Sequence, residues 1–481
     1  MRRRMNQSCS FMNFTVGGLL MSVLFLIVYG TFRCKVCEPQ PFNIGINIDA
    51  MKDLSYTEKV FYHRAYNLYR TNDVTYLDYA KSVLYPDSLL NNMTKHLLTE
   101  LYGNTHSESQ SSDKSNDVVD DLRYNLVKYF GTTLGKYSVV FTFSGGQALK
   151  IIAESLKFDS NSKLFYSSSS NLDILGIRSF ASEKGATVKS FDLSNIDINP
   201  SELSKDSFHL ISLPLVDQFD GTVVSKEQMQ KVIALNNSDP FVVSLIDASH
   251  YLSCNKLNLT ETPFSAVSFD LRNIFGFPNL GVLLIQNDLI LKLEKPYFGG
   301  GTLVYALPSQ DVLKMRMKPS EKFEDGSLPF LNLVAATNGF EFIDHLKIEN
   351  IHNNVINMTQ KLIKIIENVK YEDNKKATVI YGNNQESIIS FNFIDKNGNI
   401  KSFEPYLASA LKNNIQISAG CHNTPGTCFS ALKIDENKIE SEIENINISS
   451  YGSLRLSVGW ATTEADINRF NEWMQFVVNK I

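Results

Sequence analysis

Residues 137–156 read YSVVFTFSGGQALKIIAESL, and this stretch decides the fold. The run 137–142 is rich in β-branched and aromatic residues and carries no charge, which suits a buried strand. Ser144-Gly145-Gly146 interrupts it, and 148–156 then has the apolar spacing of a helix. A strand, a glycine turn and a helix in that order form the repeating unit of a parallel α/β sheet. Downstream, 163–166 reads as a strand and 174–184 as a helix, and four more strand-like runs follow at 208–213, 241–246, 266–269 and 281–285. The expected architecture is an α/β domain with a mostly parallel sheet, over 76–330.

Outside that block, 56–69 suits a short helix, and the serine- and aspartate-rich segment 107–117 suits a loop. Beyond Phe330 the pattern changes to one long helical stretch, 330–369, and then to separated strands that include 388–393 and 452–458. This predicts a smaller α+β domain over 331–481. At the other end, Arg2, Arg3 and Arg4 lie in a basic segment, 1–13, ahead of the uncharged run FTVGGLLMSVLFLIVYGTF at 14–32. That run is as long as a bilayer-spanning helix requires, so a single-pass membrane anchor is expected there, with 33–75 as tether and lead-in. A cleaved signal peptide is the alternative, but Tyr29-Gly30-Thr31-Phe32-Arg33 makes a poor cleavage site. The three arginines favour a cytoplasmic N-terminus, while Arg33 and Lys35 weaken that reading, so the side of the membrane is not fixed.

The chain has 481 residues, of which 43% are hydrophobic and 20% charged, with a formal net charge of −5. No basic surplus points to nucleic acid. Six cysteines are too few for a disulfide scaffold of this size, and Cys34-Lys35-Val36-Cys37 has no second ligand pair, so no metal is expected.

Three places could carry chemistry. Ser144, Gly145 and Gly146 stand where a helix begins, and free N–H groups there can receive a phosphate; a plain turn has the same sequence. Asp247 ends a strand, at the edge where open α/β sheets bind ligands, and could face a protonated ring nitrogen or cap a helix. Arg455 lies in the strand-like run GSLRLSV, where its planar fork could hold a carboxylate or sit on an exposed edge.

Together with Tyr76-Leu77-Asp78-Tyr79-Ala80, Tyr102-Gly103-Asn104-Thr105-His106-Ser107, Ile274-Phe275-Gly276-Phe277-Pro278, Tyr297-Phe298-Gly299-Gly300-Gly301-Thr302, Phe323-Glu324-Asp325-Gly326 and Gly452-Ser453-Leu454-Arg455, these residues carry a resemblance. From about Tyr76 onward the chain resembles the class V aminotransferase-like, cysteine desulfurase domain of molybdenum cofactor sulfurases. The resemblance implies a fold-type I pyridoxal phosphate enzyme architecture and a homodimer. It implies that Asp247 pairs with the pyridine nitrogen and that Arg455 holds the substrate carboxylate. Ser144, Gly145, Gly146, Asn171, Gln218 and His250 fall at cofactor-binding positions. The Schiff-base lysine position holds Asn273, and no lysine occurs between Lys256 and Lys292. The persulfide cysteine position holds Asn423, with Cys421 as a displaced thiol. Asn171 and Gln218 stand where a histidine and an asparagine are expected.

A lysine would hold the cofactor as an imine, exchange it for substrate and move protons. An asparagine does none of these. Pyridoxal phosphate, if held, would therefore be held non-covalently. The expected function is that of a catalytically impaired family member that binds or regulates a protein partner at a membrane. The alternative is an active pyridoxal phosphate-dependent cysteine desulfurase with an atypical site. The full-length family carries a further domain for the molybdenum cofactor, and completing cofactor sulfuration is not expected of this chain alone.

Overall fold

In the computed structural model, residues 51–442, 451–478 and 480 are described, and they fall within one compact unit, Asn47–Ile481. Helices α1 (Tyr56–Tyr66), α2 (Asp87–Thr99) and α3 (Gln110–Tyr129), with the short strand β1 (Thr75–Tyr76), precede a seven-stranded sheet. Its strands are β2 (Tyr137–Thr142), β3 (Lys163–Ser167), β4 (Thr187–Phe191), β5 (His209–Pro214), β6 (Val242–Asp247), β7 (Ala266–Asp270) and β8 (Gly281–Gln286), in the spatial order β2-β8-β7-β6-β5-β3-β4. Only β8 runs against its neighbours in this sheet. Helices α4 (Gly145–Ser155), α5 (Leu172–Glu183) and α6 (Lys226–Ser238) connect these strands, and the four-residue α7 (Arg272–Phe275) links β7 to β8.

Side chains alternate faces along each strand, so one sheet needs two apolar layers. Val140, Leu210, Leu245 and Leu283 pack with Ala148, Ile152 and Ile177 of α4 and α5 on one face. Val139, Ile211, Ile246 and Leu284 pack with Leu122 and Leu126 of α3 on the other. Arg123 of α3 and Glu324 are both buried: Arg123 Nη2 donates to both Glu324 carboxylate oxygens, at 2.8 and 3.0 Å, and Glu324 also accepts from the Phe141 amide. The Phe323–Gly326 block is thus a clamp on the edge of β2.

After the hairpin β9 (Leu303–Ala306) and β10 (Leu313–Met315), the chain forms α8 (Phe330–Leu346) and α9 (Ile348–Asn368). The expected single helix over 330–369 is broken at Lys347, whose φ of 67° lies in the left-handed region that no α-helix passes through. The break lets Leu346 and Ile348 both bury. On α9, Ile351, Val355, Met358, Leu362 and Ile366 form a buried stripe at helical spacing, each worth about 2 kcal/mol of removal from water. A second sheet follows, with β11 (Thr378–Tyr381), β12 (Ile388–Phe393), β14 (Ser418–Gly420) and β15 (Ser453–Ser457) in the antiparallel order β11-β12-β15-β14. Strand β13 (Ile415–Gln416) pairs with β1, and α10 (Glu404–Lys412), α11 (Pro425–Leu432) and α12 (Glu464–Val477) complete the chain.

Two further expectations are corrected. Segment 107–117 is not a loop throughout: α3 starts at Gln110, with the Ser109 hydroxyl accepting from the Ser112 amide, so the polar residues are cap and first turn of a helix. The expected membrane location is also overturned. Among the described residues no helix is long and apolar enough to cross a membrane. The run 14–32 on which that expectation stood lies outside the described residues.

Candidate active-site cleft

Asp247, at the end of β6, is 8% exposed, and its carboxylate is already engaged. It accepts from Asn171 Nδ2 at 2.7 Å and from the Ser249 amide at 3.0 Å. Asn171 is the N-cap of α5, and its own oxygen accepts from the Ile174 amide at 3.1 Å. One amide therefore caps a helix and supplies a donor to Asp247. Asn423 packs next to it, with its carbonyl accepting from the Leu172 amide at 3.0 Å.

The N-terminus of α4 is equally engaged. The Gly145 amide donates to Asp270 Oδ1 at 2.9 Å, and the Ser144 hydroxyl accepts from the Gln147 amide. A Cβ on Gly146 would meet the Asp173 carboxyl carbon at 2.9 Å, so that acid lies directly against the turn. Burial pushes the Asp270 carboxyl up to about 6, and Asp247 and Asp173 add to the push. Burial and Asp247 raise Asp173 as well. Three carboxylates thus surround the helix end where the sequence pointed to a phosphate.

Asn273, 3% exposed in α7, reaches His250 Nδ1 with its Nδ2 at 3.3 Å. Burial drives the His250 ring down to about 3, helped by Arg455, Arg272 and Lys81, so it is a neutral imidazole. Gly276 ends this turn at a φ of 84°, with Val83 O only 2.5 Å from any Cβ there, which leaves no room for a side chain. The space between Asn273, His250, Tyr79 and Ser457 measures about 10 Å³, room for about one water.

Arg455 of β15 is 1% exposed. Its Nη1 donates to the Gln218 carbonyl at 2.8 Å, its Nε to Ser418 Oγ at 3.3 Å, and its Nη2 stands 3.8 Å from Asp78 Oδ1. Gln218 thus meets the guanidinium through its backbone. Among the described residues, Arg455 Nη2 and Asn273 Oδ1 are buried polar atoms without a hydrogen-bond partner. Lys81 lies at the Arg455 end. Burial, Arg455 and Arg272 hold its amine below the usual lysine range, against a smaller opposing effect of Asp78. Cys421 is bonded to Cys428 in a disulfide, so neither presents a free thiol in this structure. A cavity of about 760 Å³ opens beside this loop, lined by Ser168, Asp220, Gln228, Gly426 and Thr427 among others.

Of the residues singled out from the sequence, Asn171 bonds Asp247, Asn273 bonds His250, and Arg455 bonds the Gln218 backbone. The sequence reading missed Asp78, Lys81, Asp173 and Asp270. Asp78 lay inside a block already singled out, Lys81 and Asp270 stand close to one, and Asp173 is two residues from Asn171.

A family model for aminotransferase class V matches residues 75–470. Molybdenum cofactor sulfurase from Solanum lycopersicum is 27% identical over 465 residues, covering 86% of this chain and 57% of that protein. The Homo sapiens protein of the same name is 28% identical over 453 residues, covering 86% and 51%. The chain therefore spans about half the length of the curated relatives it matches. Among solved structures, the apo cysteine desulfurase of Thermococcus onnurineus NA1 superposes with a TM-score of 0.71 at 17% identity, covering 87% of this chain and 98% of that one. A cystine C–S lyase complexed with its product cysteine persulfide gives 0.65 at 13% identity, covering 84% and 98%. The mostly parallel sheet is that of these fold-type I neighbours, and the chain belongs to the class V aminotransferase family.

Proposed function

We propose that this molybdenum cofactor sulfurase-like chain is a non-catalytic family member that acts by binding, with 76–330 and 331–481 as its two lobes. The observation that carries the proposal is Asn273, buried and hydrogen-bonded to a neutral histidine at the position where an imine-forming amine would stand. Loss of a general base alone costs about 10²–10⁴ in rate, and loss of covalent capture adds to that. The residues present do not fit pyridoxal phosphate. Asp247 is satisfied by Asn171, the Gly145 amide by Asp270, and Asp173 lies against Gly146. A phosphate there would face acids where it needs donors.

The cationic end around Arg455 has the opposite character. The Arg455 guanidinium, whose Nη2 has no hydrogen-bond partner among the described residues and stands 3.8 Å from Asp78, suits a small carboxylate or the carboxylate of a protein partner. The exposed hairpin β9–β10, with Val304, Tyr305, Val312 and Leu313 facing outward, supports a homodimer, to be checked by light scattering in solution.

A second reading, an active sulfurtransferase with an atypical site, is favoured by one observation: the Lys81 amine, with its lowered pKa, lies at the Arg455 end of the cleft. A single experiment separates the two. The purified chain is incubated with pyridoxal phosphate, reduced with borohydride and mapped by peptide mass spectrometry, with sulfide release from L-cysteine followed in parallel. No reducible adduct within the cleft and no sulfide above background are expected. An adduct on Lys81, lost in Lys81→Ala together with sulfide release, would defeat the non-catalytic reading.

A further inference from the structure

Beyond the His250 turn, a second cavity of about 540 Å³ opens to solvent. Three ligand-type side chains from separate segments meet on its wall: Cys254, which follows the single 3₁₀ turn Tyr251–Ser253, His352 in α9, and Glu386, which precedes β12. Their sulfur, ring-nitrogen and carboxylate ligand atoms all lie within 4.8 Å of one another. We propose that Cys254, His352 and Glu386 form a site for a divalent transition metal of the zinc class, with a fourth position open to the cavity.

The donor set selects the metal. Thiolate, imidazole and carboxylate together suit zinc, whereas calcium and magnesium take oxygen ligands. With bonds of about 2.0–2.3 Å, ligand atoms in a tetrahedral zinc site stand roughly 3.5 Å apart. The three atoms must therefore draw in by about an ångström, and His352 and Glu386 are only half-buried and free to do so. Nδ1 of His352 is a buried ring nitrogen without a hydrogen-bond partner among the described residues, which is an energetic cost that a ligand would remove. Asn255 Nδ2 donates to Glu386 Oε2 at 2.7 Å and lies 3.5 Å from Cys254 Sγ, so one amide already orients two of the three ligands.

Charge balance also suits a divalent cation, since the Cys254 sulfur and the Glu386 carboxylate stand on the same cavity wall. On binding, the Cys254 sulfur loses its proton to solvent, and thiolate plus carboxylate balance the two charges of the ion. The site would tie α9 and β12 to the turn after β6. Three protein ligands and an open position are also the arrangement in which zinc holds a water or a small ligand. None of this depends on the fate of the pyridoxal phosphate cleft.

The test uses the full chain, stripped with chelator and titrated with Zn²⁺ and with Co²⁺. One ion per chain is expected, with a thiolate-to-cobalt charge-transfer band and tetrahedral cobalt absorption. Cys254→Ser should abolish the charge-transfer band, and His352→Ala should weaken zinc by about 100-fold or more with the far-ultraviolet circular dichroism unchanged. If Cys254→Ser does not fold, the half-exposed His352→Ala and Glu386→Gln carry the test, each with a clear loss of affinity. No stoichiometric binding, or binding undiminished in both of these variants, overturns the proposal, the latter by placing the ion elsewhere on the chain.

Discussion

At the start of α4 the cleft ends on Asp270 and Asp173, while at β15 it ends on Arg455. The first end has N–H groups that would suit an anion, yet the chain supplies the anion itself, and the Gly145 amide is spent on it. The second end has a buried guanidinium whose Nη2 has no hydrogen-bond partner among the described residues and stands 3.8 Å from Asp78. One end is closed to a phosphate by like charge. The other holds a cation whose carboxylate, Asp78, stands 3.8 Å away, beyond hydrogen-bond reach. Retained residues therefore say little by themselves; what each of them already touches decides whether a ligand can use it.

The comparison can be broken most forcefully at the arginine. Arg455→Met strands the Gln218 carbonyl, removes the Ser418 contact and leaves Asp78 unpaired, so a loss of about 3 kcal/mol is expected in urea unfolding. A loss below about 1 kcal/mol would mean that this end is solvated and that the Arg455 contacts contribute little.

Asp270 sharpens the other end. Its folded carboxyl titrates near 6, above the ordinary aspartate range, so the folded state binds the proton more tightly than the unfolded one. The stability it contributes is present below about pH 4 and is lost as pH rises through about 6. Asp270→Asn should remove that loss, so the stability gap between variant and parent should widen from pH 4 to pH 7 by about 2 kcal/mol. Adding Asp173→Asn should let inorganic phosphate raise the melting temperature, which it should not do in the parent chain. A gap that does not change with pH would show that Asp270 is not the buried acid described here.

The smallest effect is expected at Asn171. Asn171→Ala removes the cap of α5 and frees Asp247, for a cost of about 1 kcal/mol in thermal or urea unfolding. Asn171→Ser, which keeps a capping oxygen, should recover most of it. If it does not, the contact with Asp247 outweighs the cap.

Much of the fold was legible in the sequence because strand and helix periods are local. The runs 137–142 and 281–285 fall within a residue of β2 and β8, and 388–393 coincides with β12. The errors have local causes too. Serines at 107–117 suit both loops and helix caps, and apolar spacing continues across Lys347 although the backbone does not. In the cleft, Asn273 and Arg455 could be named from the blocks around them. Asp270 could not be tied to Gly145, because β2 and β7 become near neighbours only through the sheet order, with β8 between them.

Taken alone, the sequence determined that the chain alternates strands and helices and that residue 273 offers no amine, since both follow from residue type and spacing. Tertiary structure alone decided which groups meet: Asp270 on the Gly145 amide, Asn171 on Asp247, and Cys254 with His352 and Glu386. The physical reason is that hydrogen bonds and ligand sets act over a few ångströms. Which distant residues come that close is fixed by strand order and helix packing, and no local pattern encodes either.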